Sequence, residues 1–187
     1  MLNHLFSTFR LSASSWIIQE VKGLRDAGLA HMSYFYCDFR DAKKQQVTGL
    51  LSSLIAQLSA KSDPCYTILS SLYSECDAGS RQPSDDELMD CLEEMLKLEE
   101  QPLIYIIIDG LDECPNDSGV VSPRERVLEQ VERLVGEHLP NVRICVTSRP
   151  EHQENPPALA RGNSNNLVLA SGTLSLSLGS LPPIIER

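Results

Sequence analysis

The chain has 187 residues, of which 42% are hydrophobic and 22% are charged, as is ordinary for a globular domain with its own core. Its formal net charge of −10 argues against general binding to nucleic acid or to an anionic membrane surface, because both require a basic face. The sequence shows neither a secretory signal pattern nor a run of about 18 apolar residues, so we expect a cytoplasmic protein.

The first half of the chain predicts a helix, a strand and two further helices. Apolar spacing predicts a helix over residues 11–26. The aromatic, bulky residues 31–39 are typical of a strand. Leucine and isoleucine at offsets of three and four indicate an amphipathic helix over residues 47–60, and an Asp-Pro pair opens another over residues 65–76.

The second half continues the alternation of helices and strands. Ser84 and Glu87 have the spacing of a capping box, in which each side chain satisfies a backbone donor at the start of a helix. An unbroken apolar run over residues 103–108 predicts a strand buried on both faces. A helix over 123–137 and a strand over 142–147 follow. This order is typical of a right-handed parallel α/β sheet.

The composition changes after Pro150, where Ser, Asn, Gly and Leu dominate. Leu174–Leu178 alternates as a strand does, but it lacks charge and any partner pattern. We therefore predict that residues 152–187 form a low-complexity, disordered tail.

Six cysteines are spread along the chain without the spacing of metal ligands. None forms a Cys-x-x-Cys pair, and no histidine lies at ligand spacing beside them, which argues against a zinc site. Cys37 and Cys145 fall inside apolar runs, where a free cysteine packs as a small hydrophobe. We expect free thiols in a reducing compartment.

Three carboxylates follow the most apolar strand directly. Asp109, Asp112 and Glu113 stand where ligands bind in open parallel sheets, beyond the carboxyl end of a strand. Carboxylates there suit a magnesium ion and the water that attacks a terminal phosphate. The simpler alternative is a core strand followed by an acidic turn and the start of a helix.

Three segments together resemble one family of signalling proteins. Leu103–Glu113 looks like the Walker B motif of NACHT-type (STAND) P-loop NTPases, and Val142–Pro150 resembles their sensor 1 strand. Tyr34–Asp41 is similar to the second strand of the fungal branch, which shares a nephrocystin 3-like N-terminal module. The resemblance implies a three-layer P-loop NTPase-like fold over residues 11–151, with a parallel sheet flanked by helices.

The resemblance also implies roles for the acidic residues. Asp109 would hold magnesium, mainly through water, while Asp112 and Glu113 would polarise or orient the attacking water. Electrostatics supports both roles, because Mg²⁺ favours the ionised carboxylate and a second acid can accept the proton of the water. The implied cofactor is Mg²⁺ with ATP or GTP, and no residue that would read the base can be identified.

The end of the sensor 1 strand supplies the other implied contacts. Arg149 would sense the terminal phosphate as a planar, permanently charged donor. Thr147 and Ser148 would position water or phosphate by hydrogen bonding. The alternative for Arg149 is a structural salt bridge to the acids of the Walker B motif.

The sequence departs from the family at the phosphate-binding loop. The family has a Gly-rich loop that ends in Gly-Lys-Ser/Thr, whose backbone amides and lysine hold the phosphates. The equivalent residues 6–12 contain neither glycine nor lysine, and the first glycine of the chain is Gly23. We expect a sheet that is incomplete at its N-terminal strand and P-loop, with nucleotide binding and hydrolysis impaired.

Two functions of different classes remain open. The first is a partial NACHT-like signalling NTPase module, with Walker B and sensor 1 but without Walker A. The second is a non-catalytic interaction module, or truncated gene product, of the same fold that contacts related NACHT-like chains. A weaker third idea, a carboxylate-based magnesium nuclease or phosphatase, would require further acids or histidines near Asp109.

Overall fold

The computed structural model describes residues 13–99, 101–116, 121–148 and 167–171. The five helices are α1 (Ala13–Asp26), α2 (Val47–Ser59), α3 (Asp63–Glu75), α4 (Asp85–Leu96) and α5 (Pro123–Gly136). The four strands are β1 (Ala30–Tyr36), β2 (Leu103–Asp109), β3 (Val142–Ser148) and β4 (Leu167–Ser171). Two short 3-10 helices cover Ala42–Gln45 and Leu111–Glu113.

The strands form one parallel sheet in the order β1-β2-β3-β4. In its register Tyr36 lies opposite Asp109, and Ile108 lies opposite Val146, so that β1, β2 and β3 end at the same edge. The predicted α/β class with a parallel sheet flanked by helices is confirmed. The predicted incompleteness at the N-terminal strand falls on residues 1–12, which lie outside the described residues.

The sheet is the middle layer of three. One face of β2 packs with Met32 and Cys145 against Ile18 and Val21 of α1. The other face packs against the helical layer that includes α2, α4 and α5. Burial on both faces explains the unbroken apolar run of β2, in which Ile104, Ile106, Ile107 and Ile108 are at most 1% exposed.

Element boundaries differ from the predicted ones where side chains cap or turn the backbone. Strand β1 ends at Tyr36, not Phe39, because the carboxylate of Asp38 accepts the backbone N–H of Arg40 at 3.0 Å and turns the chain. Helix α3 begins at Asp63, since Ser62 caps it. The predicted capping box of Ser84 and Glu87 is present.

Among the described strands, β1 lies at one edge of the sheet, and a side chain from α2 contacts its outer backbone groups. The Gln57 side-chain amide donates to the carbonyl oxygen of Tyr34 at 2.8 Å. Its Oε1 accepts the backbone N–H of Tyr34 at 3.1 Å. Gln57 thus satisfies both backbone groups of Tyr34, as a neighbouring strand would do.

Strand β4 lies within the range predicted as a disordered tail. Leu167–Ser171 pairs with Ile144–Ser148 in parallel register. A run of five apolar or small residues is too short to be identified as a strand by periodicity, and the pairing depends on β3, which is distant in sequence. The segment that alternates, Leu174–Leu178, lies outside the described residues, and disorder over the rest of the tail stays a prediction.

A charge network joins α4 to α5. The Arg133 guanidinium donates to the carboxylates of Glu93 at 2.6 Å and Asp90 at 2.5 Å. Lys97 approaches Glu93 at 3.2 Å and Glu137 at 2.7 Å. Glu93 is only 8% exposed, so these cations offset the cost of burying its carboxylate. Within the described ranges, no helix combines the length and apolar character needed to cross a membrane.

Replacement of Arg133 by alanine should destabilise the fold. The change removes the guanidinium from the buried carboxylate of Glu93, and Lys97 compensates only in part, so we expect a loss of about 1–2 kcal/mol in the free energy of unfolding. Urea denaturation of Arg133→Ala measures it, with Arg126→Ala on the exposed side of α5 as the control. Equal losses in the two variants would contradict this role.

His31 should make the fold sensitive to mild acid. Burial, and then the nearby charge of Lys61, lower the pKa of His31 below its usual 6.5, and its Nδ1 has no partner among the described residues. The unfolded chain therefore binds a proton more readily than the native one. Stability should fall as the pH decreases from about 6.5 towards the lowered native pKa.

Thermal denaturation between pH 7.5 and pH 5 tests this expectation. The His31→Gln variant should lose less stability over that interval than the unaltered chain, because it cannot take up the proton. His138→Gln replaces an exposed histidine and serves as the control. The expectation fails if the His31 variant shows the same pH dependence as the unaltered chain.

Candidate functional site

A sharp turn follows β2 at the carboxyl edge of the sheet. Gly110 has a φ of 75°, in the left-handed region that favours glycine. A Cβ atom there would lie 3.4 Å from the Cγ of Glu113 and 3.5 Å from the carbonyl oxygen of Cys37. The turn continues as the short 3-10 helix Leu111–Glu113, which we call the acidic turn together with Gly110 and Cys114.

The structure brings Asp109 and Thr147 together. The Thr147 hydroxyl donates to the Asp109 carboxylate, and its oxygen accepts the backbone N–H of Gly110 at 3.2 Å. Thr147 is only 7% exposed, so its hydroxyl is fixed at the end of β3. The contact joins the ends of two neighbouring strands and orients the carboxylate that the sequence singled out.

Asp112 and Glu113 face a different environment from Asp109. Both are half-buried, and both line an open cleft of about 510 Å³ at the carboxyl edge of the sheet. The remaining lining residues are Phe39, Cys114, Pro115, Asn116 and Arg124. The acidic turn therefore presents two carboxylates to a space that is accessible from solvent.

Arg124 anchors the acidic turn, and sequence reasoning missed it. Its Nε donates to the carbonyl oxygen of Leu111 at 3.3 Å, and its Nη2 donates to that of Asp112 at 3.1 Å. A signal was present, because a cation in the first turn of a helix is disfavoured by the helix dipole. An arginine at that position indicates a contact outside the helix that offsets the unfavourable placement.

The start of α5 is held against Pro115 and Asn116, which directly follow the acidic turn. Ser122 and Glu125 form a capping box, and the Ser122 hydroxyl donates to the side-chain oxygen of Asn116 at 3.3 Å. The backbone N–H of Arg124 donates to the carbonyl oxygen of Pro115 at 3.4 Å. These contacts determine where the Arg124 side chain begins, and hence where it meets the acidic turn.

Two thiols lie behind the acidic turn. All six cysteines are buried and free, as the sequence predicted for Cys37 and Cys145. The neighbouring Cys114 thiol, and then burial, raise the pKa of Cys37 far above its usual range. The Cys37 thiol lowers the pKa of Cys114 despite its burial, and the Arg124 cation acts in the same direction.

Exposed aromatic rings lie beside the acids. Tyr34 is 41% exposed and Tyr36 is 43% exposed, and their ring centroids are 5.5 Å apart in an edge-to-face arrangement. Burial of its hydroxyl, and then the charge of Asp109, raise the pKa of Tyr36. Phe39, beyond the end of β1, is 64% exposed.

Two further predicted site residues, Ser148 and Arg149, follow Thr147 in the chain. Ser148 is the last residue of β3 and is half-buried. Arg149 lies outside the described residues, so its contact with a phosphate stays a prediction. The described ranges contain no group of three or more His, Cys, Asp or Glu side chains able to hold a metal ion.

The carboxylate of Asp109 nevertheless suits a magnesium ion that keeps most of its water ligands. Mg²⁺ keeps several waters and is commonly held by one or two carboxylates together with substrate phosphates. Asp109, supported by Thr147, can supply such a carboxylate without a cage of protein ligands. Its role as a magnesium ligand stays a prediction.

Loss of the Arg124 side chain should loosen the acidic turn. The Arg124→Ala variant removes two charge-assisted hydrogen bonds to half-buried backbone, and we expect a local cost of about 2 kcal/mol. Amide hydrogen exchange at Glu113 and Cys114, whose N–H groups bond to Gly110 and Leu111 within the turn, measures it. Unchanged exchange, with Arg126→Ala as reference, would show that Arg124 does not hold the turn.

Comparison with known proteins gives one family match. A family model described as nephrocystin 3, N-terminal, matches residues 12–149. No curated protein and no solved structure matches the chain. The matched range begins with α1 and ends directly after β3, so it contains the acidic turn and the Asp109–Thr147 contact.

Proposed function

Because the chain belongs to the nephrocystin 3 N-terminal family, we propose that it is a NACHT-like signalling module with the magnesium and water side of a nucleotide site. The observation that carries the proposal is the Asp109–Thr147 contact beside an open cleft lined by Asp112 and Glu113. These groups come from neighbouring parallel strands and meet at the edge where α/β sheets bind ligands.

Each acidic residue has a role in this proposal. Asp109 holds Mg²⁺ through water, since its carboxylate is oriented by the hydroxyl of Thr147. Asp112 and Glu113, on the cleft, polarise and orient a water molecule near the terminal phosphate. An Mg²⁺ ion held by Asp109 would offset the negative charge of the phosphates.

The residues at the end of β3 complete the proposed contacts. Thr147 and Ser148 position water or phosphate by hydrogen bonding. Arg149, the next residue, senses the terminal phosphate through its planar guanidinium. The nucleotide is ATP or GTP, bound with Mg²⁺, and we propose a cytoplasmic protein that contacts neither nucleic acid nor membrane.

Nucleotide binding is impaired in this proposal for an electrostatic reason. The sequence contains no Gly-rich loop ending in Gly-Lys-Ser/Thr, which would supply backbone amides and a lysine to the phosphates. The cleft offers two carboxylates, and the one cation among its described lining residues, Arg124, already donates to backbone carbonyls. A nucleotide polyanion would therefore depend on Mg²⁺, and hydrolysis would be slow or absent.

The second candidate is a non-catalytic interaction module of the same fold. The exposed rings of Tyr34 and Tyr36 on β1, and of Phe39 at the cleft, favour it, because aromatic side chains are enriched where proteins meet. Related NACHT-like chains are the proposed partners. In this case the acidic turn shapes a contact surface and no nucleotide is required.

Thermal shift with Mg-ATP and Mg-GTP distinguishes the two candidates. Binding to the native state should stabilise the chain by about 1.4 kcal/mol when the ligand is at ten times its Kd. We expect a rise in Tm at millimolar nucleotide that requires Mg²⁺. The rise should disappear in Asp109→Asn, which loses the charge that Mg²⁺ requires, whereas Glu129→Gln, which alters an exposed carboxyl on α5, should retain it.

Absence of any shift at millimolar nucleotide would contradict the nucleotide site and favour the interaction module. The Asp109→Asn variant isolates the effect of charge, because its amide oxygen can still accept the Thr147 hydroxyl. A shift that persists in Asp109→Asn would place the nucleotide elsewhere on the chain.

A further inference from the structure

The face of the sheet that α1 covers carries two exposed tyrosines towards its carboxyl edge. Alternate residues of a strand point to the same face, so Tyr34 and Tyr36 share the face of Met32, which packs against α1. The two tyrosines are 41% and 43% exposed, and their ring centroids are 5.5 Å apart. Large aromatic rings gain much from burial, so this pair, which we call the tyrosine face, offers apolar area to a further segment.

Asp109 lies on the same face, beside Tyr36. It alternates along β2 with Ile107, which packs against α1, and it is the partner of Tyr36 in the parallel register. The Asp109 side chain is half-buried, and its carboxylate accepts the Thr147 hydroxyl. The tyrosine face therefore has a carboxylate at its border, next to the aromatic rings.

Helix α1 leads the N-terminal part of the chain to this face. The helix ends at Asp26, and the chain reverses through Gly28, whose φ is 71°, to enter β1. With 14 residues in α1 and 7 in β1, both elements are about 20 Å long. Because α1 packs on the sheet and runs opposite to β1, its first residue, Ala13, lies towards the carboxyl edge, as the tyrosine face does.

The sequence that directly precedes α1 is suited to such a face. Its apolar residues recur at offsets of three and four, which is typical of a segment with one apolar side; they are Leu2, Leu5, Phe6 and Phe9. Arg10 is the one charged side chain in residues 1–12, and it lies within one helical turn of Ala13 in sequence. The segment thus combines apolar side chains with a cation, as the face combines aromatic rings with a carboxylate.

We propose that residues 2–11 dock on the tyrosine face of their own chain, with Phe6 and Phe9 against the rings and the Arg10 guanidinium on the Asp109 carboxylate. Burial of apolar and aromatic area stabilises the contact, and the arginine–carboxylate pair fixes its register. The occupant is this segment because α1 tethers it at the border of the face, which gives it a high effective concentration there.

Docking of this kind is an autoinhibitory contact. A carboxylate that is paired with Arg10 is not free to hold Mg²⁺, so the segment and the metal compete for Asp109. This consequence rests on the proposed function, whereas the docking itself requires neither metal nor nucleotide. An experiment without either ligand therefore separates failure of the docking from failure of the nucleotide site.

Tyrosine nitration of the full chain measures the docking. Tetranitromethane modifies accessible phenol rings, and peptide mapping gives the rate at each tyrosine. In Phe9→Asp, Tyr34 and Tyr36 should be nitrated several-fold faster than in the unaltered chain, because a carboxylate is costly to bury against the rings. Tyr66 and Tyr73 on α3 are 63% and 55% exposed, and their unchanged rates should show that the variant is folded.

Two further variants examine specificity and charge. Ser7→Asp adds the same charge to the segment away from its apolar positions, so this matched control should keep the nitration rates of the unaltered chain. In Arg10→Lys, a carbodiimide can join the new amine to a carboxylate that it contacts. Peptide mapping should then identify an amide bond between position 10 and Asp109.

Several results would overturn the proposal. Equal nitration of Tyr34 and Tyr36 in Phe9→Asp and in the unaltered chain would show that the segment does not cover them. Equal acceleration in Ser7→Asp would show that the apolar side chains make no specific contact. Protection that increases with protein concentration would assign the face to a second copy, and a cross-link only to other carboxylates would exclude the pair with Asp109.

Discussion

The burial of β2 on both faces is the constraint on which the rest of the structure depends. Helix α1 covers one side and the larger helical layer covers the other, so β2 offers no surface on which a charged side chain can be solvated. Charge can appear only where the strand leaves the core, and there Asp109 is followed at once by the acidic turn. The same apolar run that forms the core thereby positions the polar site.

Hydrogen bonds from three elements, β3, α5 and the end of β1, hold Asp109 and the acidic turn that follows it. Thr147 orients the Asp109 carboxylate from β3, Arg124 binds the turn carbonyls from α5, and Cys37 approaches from the end of β1. Arg124 donates to backbone carbonyl groups of the turn, and the side chains of Asp112 and Glu113 line the cleft.

The sequence was sufficient for what depends on local pattern. Periodicity located β2, β3 and the amphipathic helix α2, and the acidic run after β2 identified the edge at which the site lies. Two strand ends in a parallel sheet have to meet at one edge, so the proximity of Asp109 and Thr147 followed from topology. The capping spacing of Ser84 and Glu87 was readable for the same local reason.

What the sequence could not supply are contacts between residues far apart in the chain. Arg124 looks like an ordinary helical cation until α5 is packed beside the turn, and Cys37 lies beside Asp109 only through the pairing of β1 with β2. Strand β4 depends in the same way on β3. In each case the local sequence could not show which distant residue or strand would be the contact partner.

The contact between Gln57 and Tyr34 has a consequence for how this chain meets its own copies. An open strand edge is a template on which another chain can add a strand, and such addition leads to aggregation. Any strand approaching β1 at Tyr34 would first have to displace the Gln57 amide from both backbone groups. One glutamine on a helix thus disfavours the addition of a further strand to β1 at Tyr34.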